Sequence, residues 1–243
     1  MRIETVEIAG RRLRVGHRAG PSTLLIFNGI GADLELMRPL IEALDGIGIA
    51  IFDMPGIGGS APSFLPYSFA AMAELAEDLL DRLGIAGPVD VLGYSWGGSL
   101  AQQFALQCGA RCRKLILAAT TAGAAMIPGQ PAAWARLAGS LHADGTPGSR
   151  VGQFYQLLAT IGWTSIHWLH RLDLPCLVVV GERDSIVPPV NGLLLAAHIP
   201  KARLQSLDGG HMFIRNQAAI LAPMLRSFLG EADSTISETG LAD

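Results

Sequence analysis

Residues Val89 to Leu92 make a short β-rich run, the chain then reads Gly93-Tyr94-Ser95-Trp96-Gly97, and a small-residue helical pattern follows from Ser99. Strand, sharp turn and helix, in that order, are the setting of a nucleophile elbow. A turn that tight forces the serine backbone into a strained conformation, and Gly93 and Gly97, having no Cβ, let strand and helix pass close to it. The serine oxygen then stands clear of the sheet, and the helix N-terminus beneath it offers partial positive charge to a developing oxyanion. A glycine-rich turn with an incidental serine is the bland alternative. The flanking strand and helix weigh against it.

The rest of the chain alternates strand and helix patterns. After a hairpin over residues 2–16, apolar runs at 23–27, 47–52, 114–119, 175–180 and 203–207 read as strands. Helical spacing occupies 36–44, 69–83, 190–199 and 217–229. That order predicts an α/β fold: a mostly parallel, doubly wound sheet with an N-terminal antiparallel hairpin. Apolar residues make up 50% of the 243 and charged ones 16%, as befits strands buried on both faces. Residues 1–121 and 172–230 are expected to form the core. Residues 122–171, rich in Gly, Pro and Trp, are expected to be a helical lid inserted over the carboxyl edge of the sheet, with short helices at 154–161 and 165–171. The polar tail, 231–243, lacks a core-forming pattern and is expected to be disordered.

A formal charge of −3 without a Lys/Arg cluster argues against a nucleic-acid partner. No apolar run has the length of a membrane span, and the N-terminus alternates like a strand instead of carrying the apolar core of a signal peptide. The expected compartment is the cytoplasm, and Cys108, Cys112 and Cys176 then read as small buried thiols.

A serine hydroxyl needs a base within hydrogen-bond reach to act as a nucleophile. His17 lies in the hairpin, His198 near a helix end, and His142, His167 and His170 in the insertion; only His211 follows the last strand in a Gly-flanked turn. The base needs a carboxylate to hold its tautomer. Asp184 stands just past a strand end, whereas Glu182 is still close to the strand and Asp208 is too near His211 in sequence to reach around its ring. The oxyanion requires two donors: the N–H of Trp96, after the nucleophile, and one from the loop after the early strand, assigned to Ile30. The Asp53 to Ser60 stretch lacks the lysine and spacing of a phosphate loop and reads as a structural wall of the cleft. No metal ligand set stands out, and no cofactor is expected.

With these residues in hand, the chain resembles the α/β-hydrolase superfamily over nearly its whole length. More narrowly it is similar to the intracellular depolymerases of medium-chain-length poly(3-hydroxyalkanoates). The runs that carry this are Phe27 to Ala32, Ser95 to Gly98 with Leu100 to Ala105, Lys114 to Thr120, and Gly162 to His170, the last being the most specific. Asn28, where many relatives carry histidine, also matches the subgroup. The resemblance implies Ser95 as nucleophile, Asp184 as acid and His211 as base. The departure lies between Trp134 and Val151, where this chain is shorter than those depolymerases.

Asn28, Trp134, Phe154, Leu158, Trp163, Trp168 and Met212 are expected to line an apolar acyl pocket, and apolar side chains left exposed would meet a polyester granule or a partner. The expected activity is serine-ester hydrolysis through an acyl-enzyme, on poly(3-hydroxyalkanoate) or its oligomers. A small-molecule carboxylesterase, thioesterase or C–C hydrolase is the alternative, and a non-catalytic granule-binding protein the remote one.

Overall fold

The structure, a computed structural model, describes residues 1–141 and 147–231. Strands β1 (Arg2–Ile8) and β2 (Arg11–Arg18) form the hairpin, turning through Ala9 and Gly10, both at positive φ. The second strand runs further than its alternation suggests because Val15 to Arg18 also pair antiparallel with β4 (Gly48–Phe52). From there the sheet is parallel: β3 (Thr23–Phe27), β5 (Val89–Tyr94), β6 (Cys112–Ala118), β7 (Cys176–Gly181) and β8 (Ala202–Leu207). The order across it is β1-β2-β4-β3-β5-β6-β7-β8, so the strand that ends at Ser95 sits in the interior of the sheet.

Side chains alternate along each strand, and the alternation builds two cores. Leu25 and Phe27 point to the face covered by α2 (Phe69–Arg82), α3 (Trp96–Gln107) and α6 (Val190–His198). Leu24 and Ile26 point to the face covered by α1 (Leu34–Ala43), the short α7 (Phe213–Asn216) and α8 (Ala218–Gly230). Asp33 caps α1 by accepting the Glu35 N–H, and Ser68 caps α2 by accepting that of Ala71. One polar side chain crosses this apolar frame. Lys114, on β6 and 1% exposed, donates to the carbonyls of Phe228 and Leu229 at the end of α8, at 2.9 and 3.2 Å. The cation meets the negative end of the helix dipole, which pins the last helix to the sheet.

Between β6 and β7 the chain leaves the sheet and forms α4 (Pro131–Leu141) and α5 (Pro147–Thr160). Helix α5 contains residues 154–160 of the helix expected at 154–161 but begins seven residues earlier, and α4 was not expected. Among the described side chains of α4 only Ala133 is buried, so apolar periodicity has nothing to register there. Residues 165–171, expected to be a helix, are a turn ending in one 3-10 turn at Leu169–Arg171. Tertiary bonds hold them irregular: the Ser165 hydroxyl donates to Gln102 Oε1 at 2.6 Å, and the Ser165 N–H to Ala122 O at 3.1 Å. His142 and residues 232–243 of the 231–243 tail expected to be disordered lie outside the described residues. Among the described residues no helix is long and apolar enough to cross a membrane.

Candidate active site

At the end of β5 the backbone of Ser95 adopts φ 52° and ψ −120°, a region that side chains rarely occupy. The distortion is held from three sides: Ser95 N–H donates to Ala118 O, and Ser95 O accepts the N–H of Gly98 and the hydroxyl of Thr120, all between 2.7 and 2.9 Å. A Cβ on Gly93 or Gly97 would fall inside the Gly97 or Phe27 carbonyl oxygen, respectively, so no larger residue fits while the strand and helix keep this approach. The serine side chain is thereby presented at a cavity of about 1160 Å³ that also exposes His211, Ile30 and Met212.

Asp184 follows β7 and His211 follows β8, and the two meet above the elbow. The carboxylate is buried and fully satisfied. Its Oδ1 accepts the N–H groups of Ile186 and Val187, both at 2.9 Å, and its Oδ2 faces His211 Nδ1 at 2.7 Å. An acceptor at Nδ1 places the ring proton there and leaves Nε2 bare toward Ser95 Oγ, 3.1 Å away. The rival carboxylates are engaged elsewhere: Glu182 accepts from Ser206 Oγ at 2.7 Å, and Asp208 pairs with Arg183 at 2.9 Å. The other described histidines stand apart, with His17 on Glu4 and His198 on its own helix.

One contributor went unnoticed in the sequence. Tyr94, directly before the serine, is buried, donates its hydroxyl to His211 O at 2.9 Å, and tilts its ring against the imidazole at 5.3 Å. Burial, and secondarily the Asp184 charge, pushes its phenol well above the usual range. The proton therefore stays on oxygen and keeps donating to the His211 main chain. Nothing in a Gly-Tyr-Ser triplet signals this, because the partner lies 117 residues away.

Trp96 opens α3 with its main-chain N–H free of the helix ladder, and Ile30 lines the cavity from the β3–α1 loop. The other expected pocket residues need correction. Asn28 is buried and shapes that loop from within, its Nδ2 donating to Asp33 O and its Oδ1 accepting the Gly29 N–H. Trp163 and Trp168 pack against each other, and Trp163 lies on Phe69 with its indole N–H on Gln103. Phe154 is exposed and stacks on Tyr155, and Trp134 and Leu158 do not border this cavity either. Ala133, Arg136 and Leu137 of α4 do border it, one helical turn of spacing that turns the intervening Trp134 away. Met212 borders it as well. The wall is thus more cationic than the apolar lining expected. Arg14 is tied to Glu35 and Asp53, whereas Arg136 and Arg215 have no ion pair among the described residues. The Asp53 to Ser60 loop does bound the cleft, through Gly58, and Asp53 accepts the Leu34 N–H at 2.8 Å beneath the β3–α1 loop.

A parallel sheet with an antiparallel start, helices on both faces and a serine elbow at an interior strand end define the alpha/beta hydrolase fold. The model of that family matches residues 22–144, and the chain belongs to it and is a hydrolase. Over 93% of its length it is 42% identical to a poly(3-hydroxyalkanoate) depolymerase of Ectopseudomonas oleovorans, covering 91% of that protein. It also matches the crystal structure of a hydrolase from Pseudomonas aeruginosa PA01, with TM-score 0.79 and 25% identity, over 94% of this chain and 98% of that one. A meta-cleavage product hydrolase from Pseudomonas fluorescens IP01 shares the fold at TM-score 0.82 and 20% identity, over 95% and 98% of the two chains.

Proposed function

We propose that this chain is a serine hydrolase that cleaves the ester bonds of poly(3-hydroxyalkanoate) or its oligomers, with Ser95, His211 and Asp184 as its catalytic triad. The observation that carries the reading is the unbroken line Asp184 Oδ2, His211 Nδ1, His211 Nε2, Ser95 Oγ, with contacts of 2.7 and 3.1 Å, at the edge of the cavity. Ser95 Oγ attacks the ester carbonyl while His211 Nε2 takes its proton, and Asp184 stabilises the imidazolium. The N–H groups of Trp96 and Ile30 hold the oxyanion of the tetrahedral intermediate. His211 returns the proton to the departing alcohol, and water repeats the sequence on the acyl-enzyme. The substrate class rests on the Ectopseudomonas oleovorans relative. A polyester chain with a carbonyl in every repeat also suits a wall that offers the guanidinium donors of Arg136 and Arg215 beside apolar surface. The α4–α5 insertion then acts as a lid, and the working place is the cytoplasm, at the polyester granule.

The test compares wild type and Ser95→Ala on medium-chain polymer granules, on 3-hydroxyalkanoate oligomers and on short aryl esters. Serine-dependent release of hydroxy acids from polymer or oligomer is expected. Turnover confined to short aryl esters would overturn the substrate assignment in favour of a small-molecule carboxylesterase. Absence of covalent labelling by a fluorophosphonate would overturn the nucleophile.

A further inference from the structure

Helix α5 carries a side chain that the hydrolysis above does not use. Gln156 is fully buried, yet it is polar and bonds in two directions. Its Oε1 accepts the N–H of Gly31 at 2.8 Å, in the loop that bears Ile30. Its main-chain carbonyl accepts the indole Nε1–H of Trp96, also at 2.8 Å. Its Nε2 is buried and has no hydrogen-bond partner among the described residues.

Packing alone does not account for an amide here. A buried N–H without an acceptor is a cost that an apolar side chain of the same size would avoid. What the amide supplies is an acceptor for Gly31. The bond to Gly31 fixes the peptide plane that follows Ile30, and with it the rotation of Ile30 on which the direction of its own N–H depends. The bond to the indole fixes Trp96 at the first turn of α3. Those two segments already pack closely, Gly97 lying against the Phe27 and Asn28 carbonyls; Gln156 adds a polar tie to each, and an oxyanion hole tolerates little error in the spacing of its donors. Tyr67 adds a further tie from the core to α5, its hydroxyl reaching Gly152 O at 3.5 Å.

We propose that Gln156 is a positioning residue for the oxyanion hole: through Gly31 and the Trp96 indole it sets the relative placement of the Ile30 and Trp96 N–H groups. The inserted helix then completes the site as well as covering it. This inference rests on the serine-hydrolase reading.

The experiment uses the full chain and a soluble aryl ester, with active sites counted by fluorophosphonate titration. Gln156→Met and Gln156→Leu remove the acceptor, and Gln156→Glu keeps one. Both acceptor-free variants are expected to lower kcat at least tenfold with KM within twofold of wild type. They should weaken a boronic acid that mimics the tetrahedral intermediate by the same factor, while Tm moves by only a few degrees. Gln156→Glu, measured at pH 6 where burial keeps the introduced carboxyl protonated, is expected within threefold of wild type at that pH, and to fall away as pH rises and charge builds beside the oxyanion. Wild-type kcat and boronate affinity in the acceptor-free variants would overturn the proposal, as would equal losses in all three variants. A wild-type chain inert to both ester and phosphonate would overturn the hydrolase reading and this one together.

Discussion

Ser95 occupies a backbone conformation at φ 52° that costs on the order of 1–3 kcal/mol in a residue bearing a Cβ. Glycine relieves that strain, at the expense of extra freedom in the unfolded chain. Ser95→Gly should therefore melt higher than Ser95→Ala, by about 1 kcal/mol or roughly 2–4 °C in a chain of this size, and both should be inactive. Equal melting points would mean the elbow stores no strain. The Asp184–His211 pair makes a second forecast. Asp184→Asn keeps a side chain of the same shape but presents the imidazole with the wrong hydrogen-bond partner, so kcat should fall on the order of 10⁴-fold with little change in Tm. The thiols give a third. Burial, followed by the neighbouring Glu77, pushes Cys108 up to about 12, and burial raises Cys112 and Cys176 as well. At pH 8 the native chain should resist iodoacetamide and take up label on all three thiols only when denatured; rapid native labelling would show that one of them is accessible and reactive.

At the scale of elements, one cation adds to the apolar packing that holds the last helix. Lys114 Nζ serves the carbonyls of Phe228, Leu229 and Glu231, and its ammonium also stands 5.6 Å from the centre of the Phe228 ring. Lys114→Met keeps the packing volume but leaves buried acceptors without a donor, a cost of about 1–3 kcal/mol. A fall in Tm of roughly 3–10 °C is expected by thermal denaturation, with kcat unchanged because α8 lies away from the elbow. The insertion is where sequence reading and structure part most. The runs Leu100 to Ala105 and Gly162 to His170, which carried the resemblance, touch: Ser165 bonds Gln102 and Trp163 bonds Gln103. Two of the most telling stretches are thus the two faces of one joint.

At the scale of the whole molecule, the cavity lining mixes charged residues with Met212, Leu137 and Ile186. Burying a methylene contributes about 0.8 kcal/mol, so the six added between an acetyl and an octanoyl ester would total about 5 kcal/mol in a wholly apolar channel. A mixed wall should realise about a third of that. The expectation is a rise of roughly tenfold in kcat/KM from p-nitrophenyl acetate to octanoate, and a flat profile would show that the acyl chain does not enter this cavity.

The succession of strands and helices in the core and the candidates Ser95, Asp184 and His211 were legible in the chain, because each follows from local rules. Apolar runs become buried strands, a tight turn demands glycine, and the carboxyl ends of parallel strands share one edge. What faces the cavity was not legible. Whether Trp134 or Arg136 lines it is a matter of which side of α4 meets the core, and a helix that buries little leaves no periodic trace. The roles of Tyr94 and Gln156 likewise depend on partners 60 to 125 residues away. The sequence determined where a nucleophile could stand. Only the packed chain decided what holds it, because contacts between distant segments are set by how whole elements dock and not by any pattern within one of them.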